Sequence, residues 1–460
     1  MLKIDQSLKF SDLDEQITNL WSLSGEKILS IENNYDHEKG APVFTSSGKY
    51  TTRGWTEWTQ GFEYGSAAIQ FEATQDEQFL EIARRNTVEK MAPHVTHFGV
   101  HDHGFNNVST YGNLLRMLRN DHYSGSDWEA NFYELALKLS GASQARRWTK
   151  IDDNNGFIYS FNGPHSLFVD TIRSCRALAV SHLLGHKYMD EGDKEISLVG
   201  RLVKHALSTA KYSIYYGEGR DQYDDEAGRT THEAIFNTND GQFRCPNSQQ
   251  GYSGFSTWTR GLAWAITGFA EELEFISILS DEDLDPYGGK DSLTETFLKA
   301  AKSTADFYIN NSALDGIPYW DTGAPGLTNM PEHYLNSKSD PYNEHEPVDS
   351  SAAAIAAQGL IRLGRFLDTN SDEGSNYVCA GLSIAKSLFS NPYLSEDSTH
   401  QGLILHSIYH RPNGWDYVPE GSKIPNGESS MWGDYHAREL ALYISKLGKN
   451  ENYRFFDSAI

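Results

Sequence analysis

Cysteine is nearly absent from this chain: its 460 residues include only Cys175, Cys245 and Cys379, widely spaced and without a CxxC pair. That argues against a disulfide framework or a thiolate zinc site and fits a reducing compartment. Also missing is any apolar run near the roughly 18 residues of a membrane span, and Met1 to Phe10 carry no apolar segment after their lysines. The expected location is cytoplasmic, or periplasmic if a leader has been removed, with no membrane partner. Positive charge is scarce, with 39 Lys and Arg against 63 Asp and Glu, a formal charge of -24. With no local basic stripe, this balance repels a phosphate backbone and argues against nucleic acid as a partner. It does not exclude an anionic sugar, because a few Arg and His residues in a cleft outweigh a distant, salt-screened surface charge. Clean repeats and low-complexity linkers are lacking too, so a single domain over 1–460 is the simplest division.

What is abundant is helical periodicity. Ile196, Val199, Leu202, Val203, Ala206, Leu207 and Ala210 recur at the spacing of one buried helix face, as do Ala352, Ile355, Ala356, Gly359, Leu360 and Leu363. Ser292 and Glu295 form a capping-box pattern ahead of Leu293, Phe297, Ala300, Ala301 and Tyr308, which predicts a helix starting there. Further helices are predicted near 11–32, 62–74, 76–91, 107–119, 127–146, 166–184, 257–277, 375–389 and 431–446. Between them lie Gly-, Asn-, Asp- and Pro-rich stretches such as Tyr215 to Gly241, Asp281 to Lys290 and Thr322 to Pro347, while alternating strand patterns are scarce. About twelve helices in successive hairpins suit an all-α fold of the (α/α)6 toroid type, a six-hairpin barrel with long loops enclosing a concave site at one end. Aromatic residues at 12% suit a cleft that stacks against sugar rings, although most large aromatics serve a core.

Three clusters carry the chemistry. His101-Asp102-His103, preceded by His94 and His97, resembles the start of a metal-ligand set, yet no HExxH or comparable second element completes it. In Phe168-Val169-Asp170-Thr171-Ile172-Arg173 an apolar stretch delivers an aspartate to a helix start, where aspartate is ordinarily a cap. In the segment from Gln250 to Ala265, Arg260 and Trp264 stand four apart on one helix face, fit for a carboxylate and a ring.

The elements HDHGF at 101–105, FVDTIR at 168–173, THEAIF at 231–236, QGYSGFSTWTRGLAWAITGF at 250–269, PYWD at 318–321, DSSAAAIAAQGL at 349–360 and SMWGDYHARELALY at 430–443 resemble, in this order, the unsaturated glucuronyl hydrolases of glycoside hydrolase family 88. The unsaturated rhamnogalacturonyl hydrolases share parts of the pattern. The resemblance runs from about Trp58 to the C-terminal helix. It implies that Asp170 is the general acid and base, that Asp102 is a second essential carboxylate with His101 beside it, and that His232, Gln250, Arg260 and Trp264 line the sugar pocket. Trp58 matches an aromatic wall. Two departures stand out: Phe161 occupies a position where relatives commonly have tryptophan, and the chain is longer than typical members.

The implied substrate is an oligosaccharide ending in an unsaturated uronate, which is cleaved by adding water across its C4=C5 bond. One carboxyl can protonate C4 and accept a proton from the water attacking C5, so neither metal nor organic cofactor is expected. On this reading a neighbouring Asp102 raises the Asp170 pKa, and the pair titrates as a unit. The competing expectations are a conventional inverting glycosidase working at C1 and a noncatalytic sugar-binding ring.

Overall fold

The computed structural model describes residues 1–53, 57–453 and 455–456. Twelve helical stretches dominate the described residues: α1 (Asp14–Asn34), α2 (Gln60–Thr74), α3 (Glu77–Lys90), α4 (103–119), α5 (Asp127–Arg146), α6 (171–183), α7 (Leu198–Tyr212), α8 (Thr259–Ile278), α9 (Lys290–Asn311), α10 (Ser350–Phe366), α11 (Asp372–Leu388) and α12 (Met431–Gly448). Burial divides them into two layers. In α8 every residue from Thr259 to Ile276 is buried, and in α10 every residue from Ser350 to Gly364, as befits helices packed all round. In α7 only the stripe through Leu198, Val199, Leu202, Val203, Ala206 and Ala210 is buried among its apolar positions, with Leu207 at its margin, the pattern of a helix with one face outward.

The even-numbered helices form the inner ring. In sequence order α4 follows α2, α6 touches α4, α8 packs on α6, α10 on α8, α12 on α10, and α12 returns to α2, closing the circle. The odd-numbered helices lie outside, each beside the inner helix it joins by a hairpin. This is the predicted six-hairpin toroid. Where the inner helices α8 and α10 meet, side chains are excluded: a Cβ on Gly359 would come within 2.6 Å of Thr267 Oγ1 on α8.

Charges as well as methyl groups fill the ring. Arg173 on α6 donates through Nε to Glu271 (2.6 Å), through Nη2 to Glu271 and Glu439 (2.9 and 3.0 Å), and through Nη1 to His436 Nε2 (2.8 Å). Arg362 Nη1 pairs with Glu274 at 2.7 Å, and Glu72 accepts from Arg116 and Lys446, each at 2.9 Å. Since an arginine only donates and a carbonyl only accepts, His436 carries its proton on Nδ1, which bonds Trp432 O at 2.6 Å. Burial and the neighbouring Arg173 keep this imidazole neutral, its pKa pushed down to about 3. These groups lie on α2, α4, α6, α8, α10 and α12 and tie the inner ring together.

The capping box predicted at Ser292 does not form. Helix α9 begins two residues earlier with Gly289 at the N-cap, φ 82°, a left-handed conformation suited to glycine. Its first residue, Lys290, donates to Ser277 O and Leu279 O at the end of α8, a tether that fixes the start ahead of the Ser-Glu pair. The stretches read as loops contain short elements, including strands Ile214–Tyr216, Ala227–Thr230 and Glu233–Phe236 and a helical turn at Asp281–Leu284. The largest sheet has three strands, Phe243–Asn247, Glu233–Phe236 and Ser166–Phe168, all antiparallel, and it leads directly into the start of α6.

Because the α8–α10 contact leaves no room at Gly359, Gly359→Ala is expected to destabilise the fold by about 1–3 kcal/mol through overpacking. Thermal or denaturant unfolding of the variant against the wild type checks it. An unchanged midpoint would mean that the two helices part at little cost.

Candidate active site

Six chain segments converge where the inner helices begin. Trp58 precedes α2, Asp102 is the residue before α4, Asp170 the residue before α6, Trp258 and Arg260 open α8, Asp349 caps α10, and Trp432 stands in the first turn of α12. Aligned helix N-termini carry partial positive charge, so this end of the ring favours an anionic ligand. Between them lies a pocket lined by Trp58, His101, Asp102, Asp170, Gln250, Arg260 and Trp264, together with Phe161 and Phe168. Of the residues nominated from sequence, only His232 lies outside this lining; it sits one layer behind, 4.3 Å from the Phe168 ring and 4.6 Å from that of Trp258.

At the base of the pocket His101 stands between the two aspartates. Its Nε2 is 3.5 Å from Asp170 Oδ2 and 3.7 Å from Asp102 Oδ1. Asp170 occupies the cap position of α6 but makes no capping hydrogen bond; its side chain turns to His101 instead, and its Oδ1 is buried without a hydrogen-bond partner among the described residues. Other buried aspartates nearby are spent on backbone. Asp349 takes Ser351 N and Ile408 N, Asp416 takes Tyr409 N and His410 N, and Asp434 takes Leu403 N and Ile404 N.

The protonation order differs from the sequence expectation. Burial lifts the Asp102 carboxyl to about 6, His101 offsetting part of that and the nearby Asp170 adding to it. Burial acts on Asp170 too, but the hydrogen bond and charge of His101 outweigh it and hold this carboxyl below the usual range. His101, in turn, is raised despite its burial by the charge of Asp102 and its bond to Asp170. The intervening imidazole therefore reverses the expected order of the two carboxyls: Asp102, not Asp170, is the one whose proton affinity is raised, and the imidazole between them is raised as well.

The HxH pair splits. His103 donates from Nε2 to His97 O at 3.0 Å and receives Ser140 Oγ on Nδ1 at 3.0 Å, while burial pushes its pKa down to about 3. With both nitrogens spent it cannot join His101 on an ion. The donors that do converge are His101, Asp102 and Asp170, whose ligating atoms lie within 4.8 Å of one another.

Arg260 is buried and heavily committed. Nη2 donates to Gln250 Oε1 (2.7 Å) and Tyr409 O (2.8 Å), Nη1 to Asp349 (3.2 Å) and to Ile408 O, and the guanidinium lies 4.6 Å from the ring centroids of both Trp258 and Trp432. It thus fixes Gln250 and the 408–409 backbone around the pocket. His232 accepts Gln249 N and Gln250 N on Nδ1 (3.0 and 3.3 Å), which puts its proton on Nε2. That Nε2–H and the Nε1–H of Trp258 are buried donors with no partner among the described residues, the condition of groups awaiting a ligand or water. Trp264 packs on Phe105 and His436, 4.8 and 4.9 Å between ring centroids, and forms floor; Trp58 stacks on Trp432 at 5.1 Å and forms wall. Phe161, the departure noted above, lies nearly parallel to the His101 ring (14°) with 6.4 Å between centroids, so an aromatic face persists at that position.

Sequence reasoning missed Tyr409, His410, Asn413 and Trp415, which line the opposite side from the loop before α12. The signal was present in YHRPNGWDY at 409–417, where rings and a histidine crowd a turn-forming stretch with no helical period to bury them.

No protein-family model matches the chain. It is 26% identical over 414 residues to the unsaturated glucuronyl hydrolase of Bacillus sp. strain GL1, covering 88% of this chain and 90% of that protein. The chain is a homologue of the unsaturated glucuronyl hydrolases. It is also 23% identical over 435 residues to an unsaturated chondroitin disaccharide hydrolase of Streptococcus pneumoniae, covering 91% and 89%. The crystal structure of the Bacillus unsaturated glucuronyl hydrolase shares the fold with a TM-score of 0.70 at 21% identity, over 96% of this chain and 98% of that one.

The protonation order has a measurable consequence. Folding raises Asp102 from the ordinary carboxylate range to about 6, so its proton stabilises the fold; this contribution is whole below about pH 4 and lost as pH rises through 6. Asp102→Asn removes the dependence. The variant is expected to gain about 1 kcal/mol or more over the wild type between about pH 5 and about pH 7.5. A stability difference that stays constant across this window, measured by denaturant unfolding, would contradict the assignment of the proton.

Proposed function

We propose that this protein is a glycoside hydrolase that removes a 4-deoxy-4,5-unsaturated uronic acid from the non-reducing end of lyase-generated oligosaccharides. The observation that carries the proposal is the Asp102–His101–Asp170 cluster, buried at the convergence of the inner-helix N-termini. Homology to unsaturated glucuronyl and chondroitin disaccharide hydrolases over about nine-tenths of the chain supports it. We take residues 1–460 as one catalytic domain. The unpaired Cys175, Cys245 and Cys379 fit a reducing cytoplasm, and no helix among the described residues is long and apolar enough to cross a membrane.

In this reading the uronate carboxylate enters near the N-terminal helix ends. Its charge beside the buried cluster raises proton affinity there and favours the protonated form of Asp170. Asp170 then protonates C4, and the cation that develops at C5 is stabilised by the ring oxygen. Water attacks C5 and returns its proton to Asp170, so the enzyme ends as it began. The hemiketal opens and expels the remaining sugar. Arg260 acts as a positioning residue through Gln250 and the 408–409 backbone and His232 through the backbone of Gln249 and Gln250, while Trp258 offers its N–H group to the sugar.

The closeness of the carboxylates weighs against a conventional inverting mechanism. Such enzymes hold their two carboxyl groups about 6.5–9.5 Å apart to admit a water. Here ligating oxygens of Asp102 and Asp170 lie within 4.8 Å with an imidazole beside both.

Asp170→Asn keeps the shape of the side chain but cannot exchange the proton. It is expected to lower turnover of an unsaturated disaccharide by about 100- to 10,000-fold, followed by loss of the enoate's ultraviolet absorbance, with substrate binding retained. A loss well under tenfold would remove Asp170 from this role. Wild-type activity is expected to survive prolonged chelation in full, and its disappearance, with restoration by zinc or manganese, would replace this mechanism with a metal-dependent one.

A further inference from the structure

The same three side chains that hold the proton have the arrangement of an incomplete metal site. A tetrahedral zinc ion with bonds of about 2.0–2.1 Å sets neighbouring donors roughly 3.3 Å apart. His101 Nε2 already lies 3.5 Å from Asp170 Oδ2 and 3.7 Å from Asp102 Oδ1, and the third edge is within 4.8 Å. The two histidine edges need only a few tenths of an ångström, and small side-chain rotations close the carboxylate edge. Among the described residues the Oδ1 of Asp170 is buried beside the cluster without a hydrogen-bond partner. All three residues line the pocket, from which water can complete the coordination.

One feature limits the affinity. A metal-bound histidine ordinarily donates its second nitrogen to a carboxylate or carbonyl, and loss of that support weakens binding about 10- to 100-fold. His101 Nδ1 is buried without any such partner among the described residues. The donor set therefore suits an exchangeable ion better than a resident one.

We propose that His101, Asp102 and Asp170 form a reversible inhibitory site for a divalent transition-metal cation of the zinc class. Binding withdraws the lone pairs that must carry the catalytic proton and occupies the base of the pocket, so it competes with substrate. The inhibitory consequence rests on the role assigned to Asp170 above; the binding site itself does not.

Calorimetric titration of the chelator-stripped full chain with zinc chloride tests the site directly. One micromolar site per chain is expected in the wild type and is expected to be missing from Asp102→Asn and from Asp170→Asn, both checked for an intact unfolding transition. Identical isotherms in all three proteins would overturn the proposal, because zinc would then be bound elsewhere. Kinetics supply the second reading. At about ten times its dissociation constant, zinc is expected to lower kcat/KM for an unsaturated disaccharide roughly tenfold, with kcat unchanged and activity restored by chelator. Full activity at saturating zinc would overturn the inhibitory role. If the stripped protein turns over no unsaturated uronate, the functional reading fails while the titration still decides the metal site.

Discussion

The position of the active site depends on one buried guanidinium. Arg173 lies among the inner helices with its side chain fully enclosed, and it joins α6 to Glu271 on α8, Gln358 on α10 and both His436 and Glu439 on α12. The attraction of Arg173 outweighs the burial of Glu439 and keeps that carboxyl ionised, far below its ordinary range. Removing one partner of such a network leaves uncompensated charge in a low-dielectric interior, typically a loss of about 3–5 kcal/mol. Arg173 stands three residues after Asp170. The interaction that locks α6 into the ring thus also fixes where the catalytic candidate emerges, one turn from the charged network and beside His101.

Beyond that network the molecule separates structural carboxylates from chemical ones by how their oxygens are used. Asp349, Asp416 and Asp434 are bound to backbone N–H groups, which orders the loops that build the pocket wall. Asp102 and Asp170 instead face His101 and the pocket. Backbone bonds would hold a carboxylate ionised, whereas an exchangeable imidazole lets the cluster keep and pass a proton. The same openness is what makes these oxygens available to a cation.

Much of this was legible in the sequence because helical period is a local signal. The apolar stripe of α7 and the small-residue run of α10 could be read residue by residue; Asp170 was placed at a helix start, but the helix predicted from 166 begins at Thr171 because Ser166–Phe168 pair as a strand with Glu233–Ile235. The start of α9 was misread because the Lys290 tether to the end of α8 joins residues that no local pattern links. That Asp170 declines to cap its own helix, and that Asp102 is the carboxyl whose proton affinity is raised, depend on His101 lying between chain segments some seventy residues apart, as the bond from residue 101 to residue 170 records. His103 looked like a partner of His101, yet Ser140 and the His97 carbonyl claim both of its nitrogens. The wall at Tyr409 to Trp415 arrives from far along the chain, and its turn-rich segment offered no period to follow.

The central claim is that chemistry occurs at the C4=C5 bond and not at C1. Turnover of an unsaturated disaccharide in D2O, followed by proton NMR, tests this most directly. One deuterium is expected to be delivered to a single face of C4 in step with release of the leaving sugar. Release of that sugar with the enoate intact and C4 still carrying only its original hydrogen would contradict it.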